Sequence, residues 1–386
     1  MEGRHGVGFS CGREESGKEI HSDIPERVVG SMDTATDGGC DPEPSAHSAR
    51  RTSAAPSLIL IDSVSLAEND STYVGQPSDL AVAPAGAFFI TDGFARRVRA
   101  FGRDGRFLRN VGRRGNGPGE FRNPGVLAFD GDTLLYVVDT SEIEMFDPRS
   151  SAHLGAQPMR KWPGLIVASA GRLFAGHADS AQHGSVGRIT PGSPDLRVNG
   201  PFPFAEFMTR PGLFPVVNTV ALALKGDTVA TSFNVTNSVY LSDVAGRVLD
   251  RIPVPLKRRN GAQPDLLRRF ADNPSDQQMG ERAIYGSSQP MGMYWLPDGM
   301  IVVVSSDWRR VDNRNVETNY LSVVDPKSRR SCVDARIPGP TDPPVRVAMR
   351  GDTLFVLSQE TDGETRISTT IRSYRVDTDA CRWVAG

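Results

Sequence analysis

"GDTLLYVVD" (131–139), "GDTVATSFN" (226–234) and "GDTLFVLSQ" (351–359) are three near-copies of one short phrase. Each reads as a turn followed by a strand: Gly supplies positive φ, Asp bonds the backbone two residues on, and an apolar run follows. Looser versions stand at "GAFFITD" (86–92), "GRLFAGH" (171–177) and "GMIVVVS" (299–305), which makes six in all. A proline leads into another apolar run ahead of each: Pro77, Pro124, Pro163, Pro215, Pro290 and Pro344. Proline lacks an N–H and suits the first residue of a strand, so it marks where each unit begins. The successive spacings are 47, 39, 52, 75 and 54 residues. Apart from the long one, these approach the roughly 40–50 of a four-stranded propeller blade.

Third and fourth strands follow, joined by aspartate turns at Asp104, Asp147, Asp243, Asp325 and Asp377, with "TPGSPDL" in that place in the third unit. A lone four-stranded unit cannot cover its own apolar face, so the units must pack around an axis. The sequence therefore predicts an all-β, six-bladed β-propeller of four-stranded antiparallel blades over 57–386. The strand "SLILIDSVSLA" (57–67) is expected to pair with the last blade and close the ring. "GRRGNGPGEFRNP" (112–124) is expected to cross from blade one to blade two, with Phe121 wedged between them.

Residues 1–56 are rich in Gly, Ser, Asp, Glu, Arg and Thr, with few clustered apolar residues. They read as a disordered, low-complexity segment. The long interval holds an insertion, about 258–286, whose "PDLLRRFAD" has helical spacing between Pro264 and Pro274. "SSDWRRVDNRNVETN" (305–319) reads as an unusually long loop.

Net charge is -2, from 44 Lys+Arg against 46 Asp+Glu, so no strong field draws the chain to nucleic acid or an anionic membrane. The arginines of 96–122 alternate along strands rather than forming one stripe, and nucleic acid is not an expected partner. No apolar run reaches the roughly 18 residues of a membrane-spanning helix, and no signal peptide is visible in the sequence. Cys332 and Cys381 hold the same station in the last two blades, too far apart for a bridge, and are expected as free thiols. A monomer is expected.

"GNGPGEFRNPGVLAFDGDTLLYVVDT" together with "FFITDGFARRVRAFGRDGRFLRNVG" resembles the NHL-repeat family and the six-bladed propellers of bacterial exported proteins related to it. The likeness is close over about residues 76–148. It implies the propeller fold, an exported protein and a binding face around the central axis. It implies no single chemistry: members bind proteins or RNA, and related propellers hydrolyse lactones or cleave peptidyl substrates.

The second strands end on Asp92, Asp139, His177, Asn234, Ser305 (or Asp307) and Gln359. All are polar and open loops on the crossover side. One reading is a ligand site at the tunnel mouth, with Asp92, Asp139, His177 and Asp307 as candidate ligands of Ca²⁺ or Zn²⁺. The other is that each side chain caps its own loop. Trp308 and Arg309 extend the candidate binding set, Trp308 as an aromatic anchor. GxSxG, HExxH, GxxxxGK[ST] and CxxC are all absent. No cofactor is expected beyond a divalent cation at the mouth. The leading expectation is a noncatalytic binding propeller for a protein or small ligand on the crossover face. The alternative is a metal-dependent hydrolase, lactonase or lyase, for which Asp92, Asp139, Asp307 and Asp312 would have to converge.

Overall fold

The computed structural model describes residues 55–385 apart from 163, 180, 204–218, 256–263, 274–275, 277–278, 280–281, 283–287, 312–313, 342–344 and 363–365. The low-complexity reading of 1–56 thus falls, save its last two residues, outside the described residues.

Strand β1 (Ser57–Ser65) precedes blade one, which is β2 (Pro77–Val82), β3 (Phe88–Asp92), β4 (Arg97–Phe101) and β5 (Phe107–Val111). The short parallel pair β6 (Arg113–Arg114) and β7 (Glu120–Phe121) lies in the first crossover. Blade two is β8 (Leu127–Asp130), β9 (Leu134–Asp139), β10 (Glu142–Phe146) and β11 (His153–Pro158). Blade three is β12 (Ile166–Ser169), β13 (Arg172–Asp179), β14 (Gly184–Ile189) and β15 (Arg197–Asn199). Blade four is β16 (Val220–Lys225), β17 (Thr228–Phe233), β18 (Ser238–Asp243) and β19 (Val248–Pro253). Helix α1 (Pro264–Asp272) follows in the next crossover. Blade five is β20 (Gln289–Trp295), β21 (Ile301–Val311), β22 (Arg314–Asp325) and β23 (Arg330–Arg336). Blade six is β24 (Arg346–Arg350), β25 (Thr353–Asp362) and β26 (Arg366–Asp377), and β27 (Val384–Ala385) ends the chain.

Each blade pairs its strands antiparallel in chain order, and the chain is a six-bladed propeller. Blade six borrows its outer strand from the other end of the chain: β1 pairs with β26 from Ser57↔Asp377 to Ser65↔Thr370. With that place taken, the residues after Asp377 leave blade six, and β27 adds a fifth strand to blade five beside β23. This corrects two expectations. Asp377 does not turn into a fourth strand of its own blade. Cys381, carried back to blade five, lies 5.8 Å from Cys332 between Cα atoms, and the two form a disulfide rather than free thiols. A third correction concerns 305–319: the stretch is no loop but the outer half of a hairpin in which β21 and β22 pair as far as Val311↔Arg314.

Antiparallel order puts the crossovers and the second-to-third-strand hairpins on one face of the disc, the crossover face. The other turns share the opposite face.

Packing follows from the blades' inability to shield themselves. Phe89, Val98 and Val111 of blade one share a cluster with Phe121 of the crossover and with Leu135 and Phe146 of blade two. Val304, Leu321 and Val323 of blade five meet Leu354 and Val356 of blade six in the same way. Burying a side chain such as Phe121, fully enclosed here, is worth roughly 1.5–3 kcal/mol. Gly112 makes room for it: φ is +67°, and a Cβ there would stand 2.2 Å from the Phe121 ring. Glu120 then ties the loop, accepting from the amides of Asn116 and Gly117 at 3.0 Å each and from Arg113 Nε at 2.8 Å. The first crossover is a folded wedge.

Polar bridges complete the ring near its axis. The Leu127 amide donates to Asp79 (2.7 Å), the Gly171 amide to Asp130 (2.6 Å) and Arg172 to Asp227 (2.6 Å). Lys225 donates to the Leu296 carbonyl (3.2 Å), the Tyr294 hydroxyl to the Val347 carbonyl (3.4 Å) and Arg350 to the Ala83 carbonyl (2.6 Å). Every neighbouring pair of blades is therefore linked.

Candidate functional site at the crossover face

Asp92 ends β3 with no exposed surface. Its Oδ1 accepts from the amides of Gln76 (3.2 Å) and Ala95 (3.1 Å), and its Oδ2 from Gly75 N (3.2 Å) and Arg99 Nε (3.0 Å). Asp139, equally buried at the end of β9, accepts from Arg122 N (2.9 Å) and Asn123 N (2.5 Å). In both blades the carboxylate clamps the segment leading into the blade's own first strand. That uses its lone pairs on backbone N–H groups that burial would otherwise leave unsatisfied.

Blade three has the same clamp two residues later. Asp179, not His177, accepts from Lys161 Nζ in the incoming crossover (2.6 Å) and from the amides of Ala181 (2.8 Å) and Gln182 (3.1 Å). Burial alone would raise its pKa, but the Lys161 ammonium and the two amides outweigh that and hold it at about 2. Blade five repeats the shift: Asp307, two residues past Ser305, accepts from the Ser288 hydroxyl ahead of β20. A displacement of two keeps a strand residue on the same face, where a displacement of one would reverse it. The clamp therefore survives a longer second strand.

His177 sits inside β13, its Nδ1 3.1 Å from the Trp162 carbonyl oxygen. A carbonyl only accepts, so Nδ1 carries the proton. Burial, with the nearby Lys161 charge, pushes its pKa below the ordinary imidazole value. Asn234 is buried just past β17, and its amide reaches the Thr219 carbonyl (3.4 Å). Gln359 belongs to the ring closure: Nε2 donates to the Val74 carbonyl (2.7 Å) and to Thr369 Oγ1 (3.2 Å). Glu68, following β1, accepts from Val74 N (2.9 Å) and Thr369 Oγ1 (2.9 Å) in the same knot. Asp92, Asp139, His177 and Asp307 do not converge, and among the described residues no three His, Cys, Asp or Glu side chains gather as a metal site. Asp312 lies outside the described residues.

Trp308 and Arg309 stand beyond the clamp, on the extended part of the blade-five hairpin, with Trp308 opposite Glu317. The neighbouring hairpin of blade six is also long, with β25 and β26 paired out to Asp362↔Arg366. Strand alternation continues the two apolar walls of that interface upward as polar ones. On blade five the wall becomes Ser306, Trp308, Glu317 and Asn319. On blade six it becomes Ser358, Glu360 and Arg372, with Arg372 donating to Ser358 Oγ (3.0 Å) and Glu360 Oε1 (2.9 Å). Glu317 is only 3% exposed, yet its Oε1 has no hydrogen-bond partner among the described residues. Nothing in the sequence singles out Glu317, Glu360 or Arg372, because their facing walls depend on two hairpins of neighbouring blades both being long.

The central tunnel, about 360 Å³, is lined by the first strands of all six blades. Its walls are mostly apolar, with Asp79 the carboxylate among them. Burial raises the Asp79 pKa to about 6, against the pull of the Leu127 and Leu80 amides and of Arg346. Tyr294 across the tunnel is pushed well above the usual phenol value by burial, and the Asp79 charge adds to it.

A family described as "6-bladed beta-propeller" (DUF5128) matches residues 48–149, a stretch that holds β1, blade one and the first three strands of blade two. No curated protein sequence matches the chain. Among solved structures, a member of the DUF4221 family from Bacteroides vulgatus is 7% identical, covering 84% of this chain and 99% of its own, with a TM-score of 0.56. A Bacteroides fragilis protein described as exported is 11% identical over 83% of this chain and 95% of its own, with a TM-score of 0.53. At such identities the likeness shows the propeller fold alone. These findings support a six-bladed β-propeller family, and none of them names the NHL repeat.

Proposed function

We propose that this protein is a noncatalytic binding propeller that seats its ligand on the crossover face, in the polar cleft between the long hairpins of blades five and six. The observation that carries this is the partnerless, buried Glu317 Oε1. A buried carboxylate oxygen left without a donor costs roughly 1–3 kcal/mol or more, and a fold has reason to keep it where a ligand supplies the donor. Trp308, paired directly opposite on the hairpin, brings an aromatic side chain beside Glu317, a residue type enriched among those that dominate binding energy. A guanidinium or ammonium group on a peptide or small molecule satisfies both, as a hydrogen-bond donor to the carboxylate and a cation over the ring. The disulfide supports an exported protein, since such bonds persist in oxidising compartments.

The test is calorimetric titration of the purified chain with arginine- and lysine-bearing tetrapeptides and, separately, with CaCl₂ and ZnCl₂. Saturable peptide binding that weakens about tenfold or more in Glu317→Gln and in Trp308→Ala is expected. Tight binding of one divalent ion per chain, with no peptide binding, would replace this reading with the metal-dependent one.

A further inference from the structure

A second cavity, about 440 Å³, opens on the opposite face, where the ring closes between blades six and one. Ring closure itself makes it. β1 pairs Leu60 with Tyr374 and then Asp62 with Ser373, so Ile61 is an extra residue in a bulge, which turns the strand locally. Ile61 and Val64 on this strand form one wall, Val82 and Phe88 of blade one another, and Phe355 of blade six the floor. The Phe88 and Phe355 rings meet edge to face at 5.8 Å. The interior is therefore apolar and firmly built, and its volume lies within the roughly 300–1,000 Å³ of ordinary ligand sites.

Three charged side chains line it: Arg103, Arg350 and Asp62. Arg350 donates one N–H to the Ala83 carbonyl (2.6 Å), and a guanidinium has five. The stem of Arg103 crosses Gly86, its Cδ 3.6 Å from where a Cβ would stand. No hydrogen bond or ion pair occupies the Arg103 guanidinium among the described residues. Asp62 Oδ1 is already turned to the Ser63 amide (2.8 Å). The lining thus holds two positive charges against one negative, with the free donors on the positive side.

We infer that this seam cavity is a binding site for a small amphipathic monocarboxylate, its hydrocarbon body on Ile61, Val64, Val82, Phe88 and Phe355 and its carboxylate on Arg103 and Arg350. Apolar walls with a few placed polar groups suit such a ligand, and a guanidinium pair suits a carboxylate. Asp62 sets the charge count: a second carboxylate on the ligand meets repulsion rather than a partner. Since the ligand touches β1, blade six and blade one, binding also secures the ring closure, and occupied protein unfolds at a higher temperature.

The experiment is calorimetric titration of the whole chain with octanoate, octanol and suberate, alongside thermal melts at saturating octanoate. One saturable octanoate site is expected, with octanol and suberate each about tenfold weaker or more. Arg103→Ala lowers octanoate affinity about tenfold. It leaves the unliganded melting temperature unchanged, because the exposed guanidinium holds nothing in place. Ile61→Glu, at a side chain 57% exposed, weakens octanoate through a new charge without touching either arginine. Octanol binding as tightly as octanoate, full affinity in Arg103→Ala, or no saturable heat would each overturn the site.

Discussion

Blades one and two and blades five and six are built from the same four-stranded unit and treat their second-strand aspartates differently. In the first pair the hairpin stops at the clamp: β3 is five residues long, and Asp92 is sealed among four donors. In the second pair the hairpin runs on: β21 has eleven residues, Asp307 is half-buried, and the surplus strand lifts Ser306, Trp308 and Glu317 above the apolar core. The clamp belongs to the architecture. What lies beyond it is where a partnerless carboxylate can be kept, because the apolar interface has ended and only polar walls remain.

Removing the clamp from each region is the most direct way to break this comparison. Asp92→Ala leaves Arg99 Nε and three amides without their acceptor, while Arg99 Nη1 keeps the Ser71 carbonyl, and should cost about 3–5 kcal/mol in urea unfolding. Asp307→Ala should cost only about 1 kcal/mol, and equal losses would show that the two regions are held alike. Next in size is the disulfide, which ties the segment following blade six to blade five. Cys332→Ser should lower stability by about 2–4 kcal/mol relative to the oxidised protein, and reductant should have no further effect on the variant.

Asp79, on the inner strand of blade one, gives a pH-dependent contrast. Its folded pKa of about 6 lies above the ordinary 3.8. Its stabilising contribution is therefore full below pH 3.8 and lost as pH rises through 6. Asp79→Asn keeps an acceptor for the Leu127 amide. It should be more stable than wild type at pH 8 by up to about 3 kcal/mol, with the gain vanishing near pH 4. Smallest is Glu317→Gln, which removes the charge from a buried carboxylate whose Oε1 has no hydrogen-bond partner among the described residues, and which should raise stability by about 1 kcal/mol while weakening ligand binding. A loss of stability in this variant would mean that Glu317 supports the hairpin, and the distinction between the two regions would narrow to strand length.

Much of the site was legible as a pattern and misplaced as a function. The run of polar residues ending each second strand is real, and in Asp92 and Asp139 the loop-capping alternative is what the hydrogen bonds show. Counting the repeat from its glycine points to His177, whereas the clamping residue is Asp179. A strand lengthened by two preserves side-chain facing but moves the residue that does the clamping. Trp308 stands out in the sequence as an aromatic in a polar stretch, and Glu317 does not, since its burial is set by the tertiary structure.

The sequence alone determined the number of units, the turn chemistry that separates their strands, and the need for a latch strand at 57–67, since these rest on local geometry and on an apolar face repeated at a near-constant interval. Only the tertiary structure decided that β1 takes the outer place in blade six, so that the tail returns to blade five and joins Cys381 to Cys332. It also decided which polar side chains continue the walls of blades five and six and which charges line the seam. Those pairings join residues far apart in the chain, brought together by closure of the ring, and no period within a single unit encodes them.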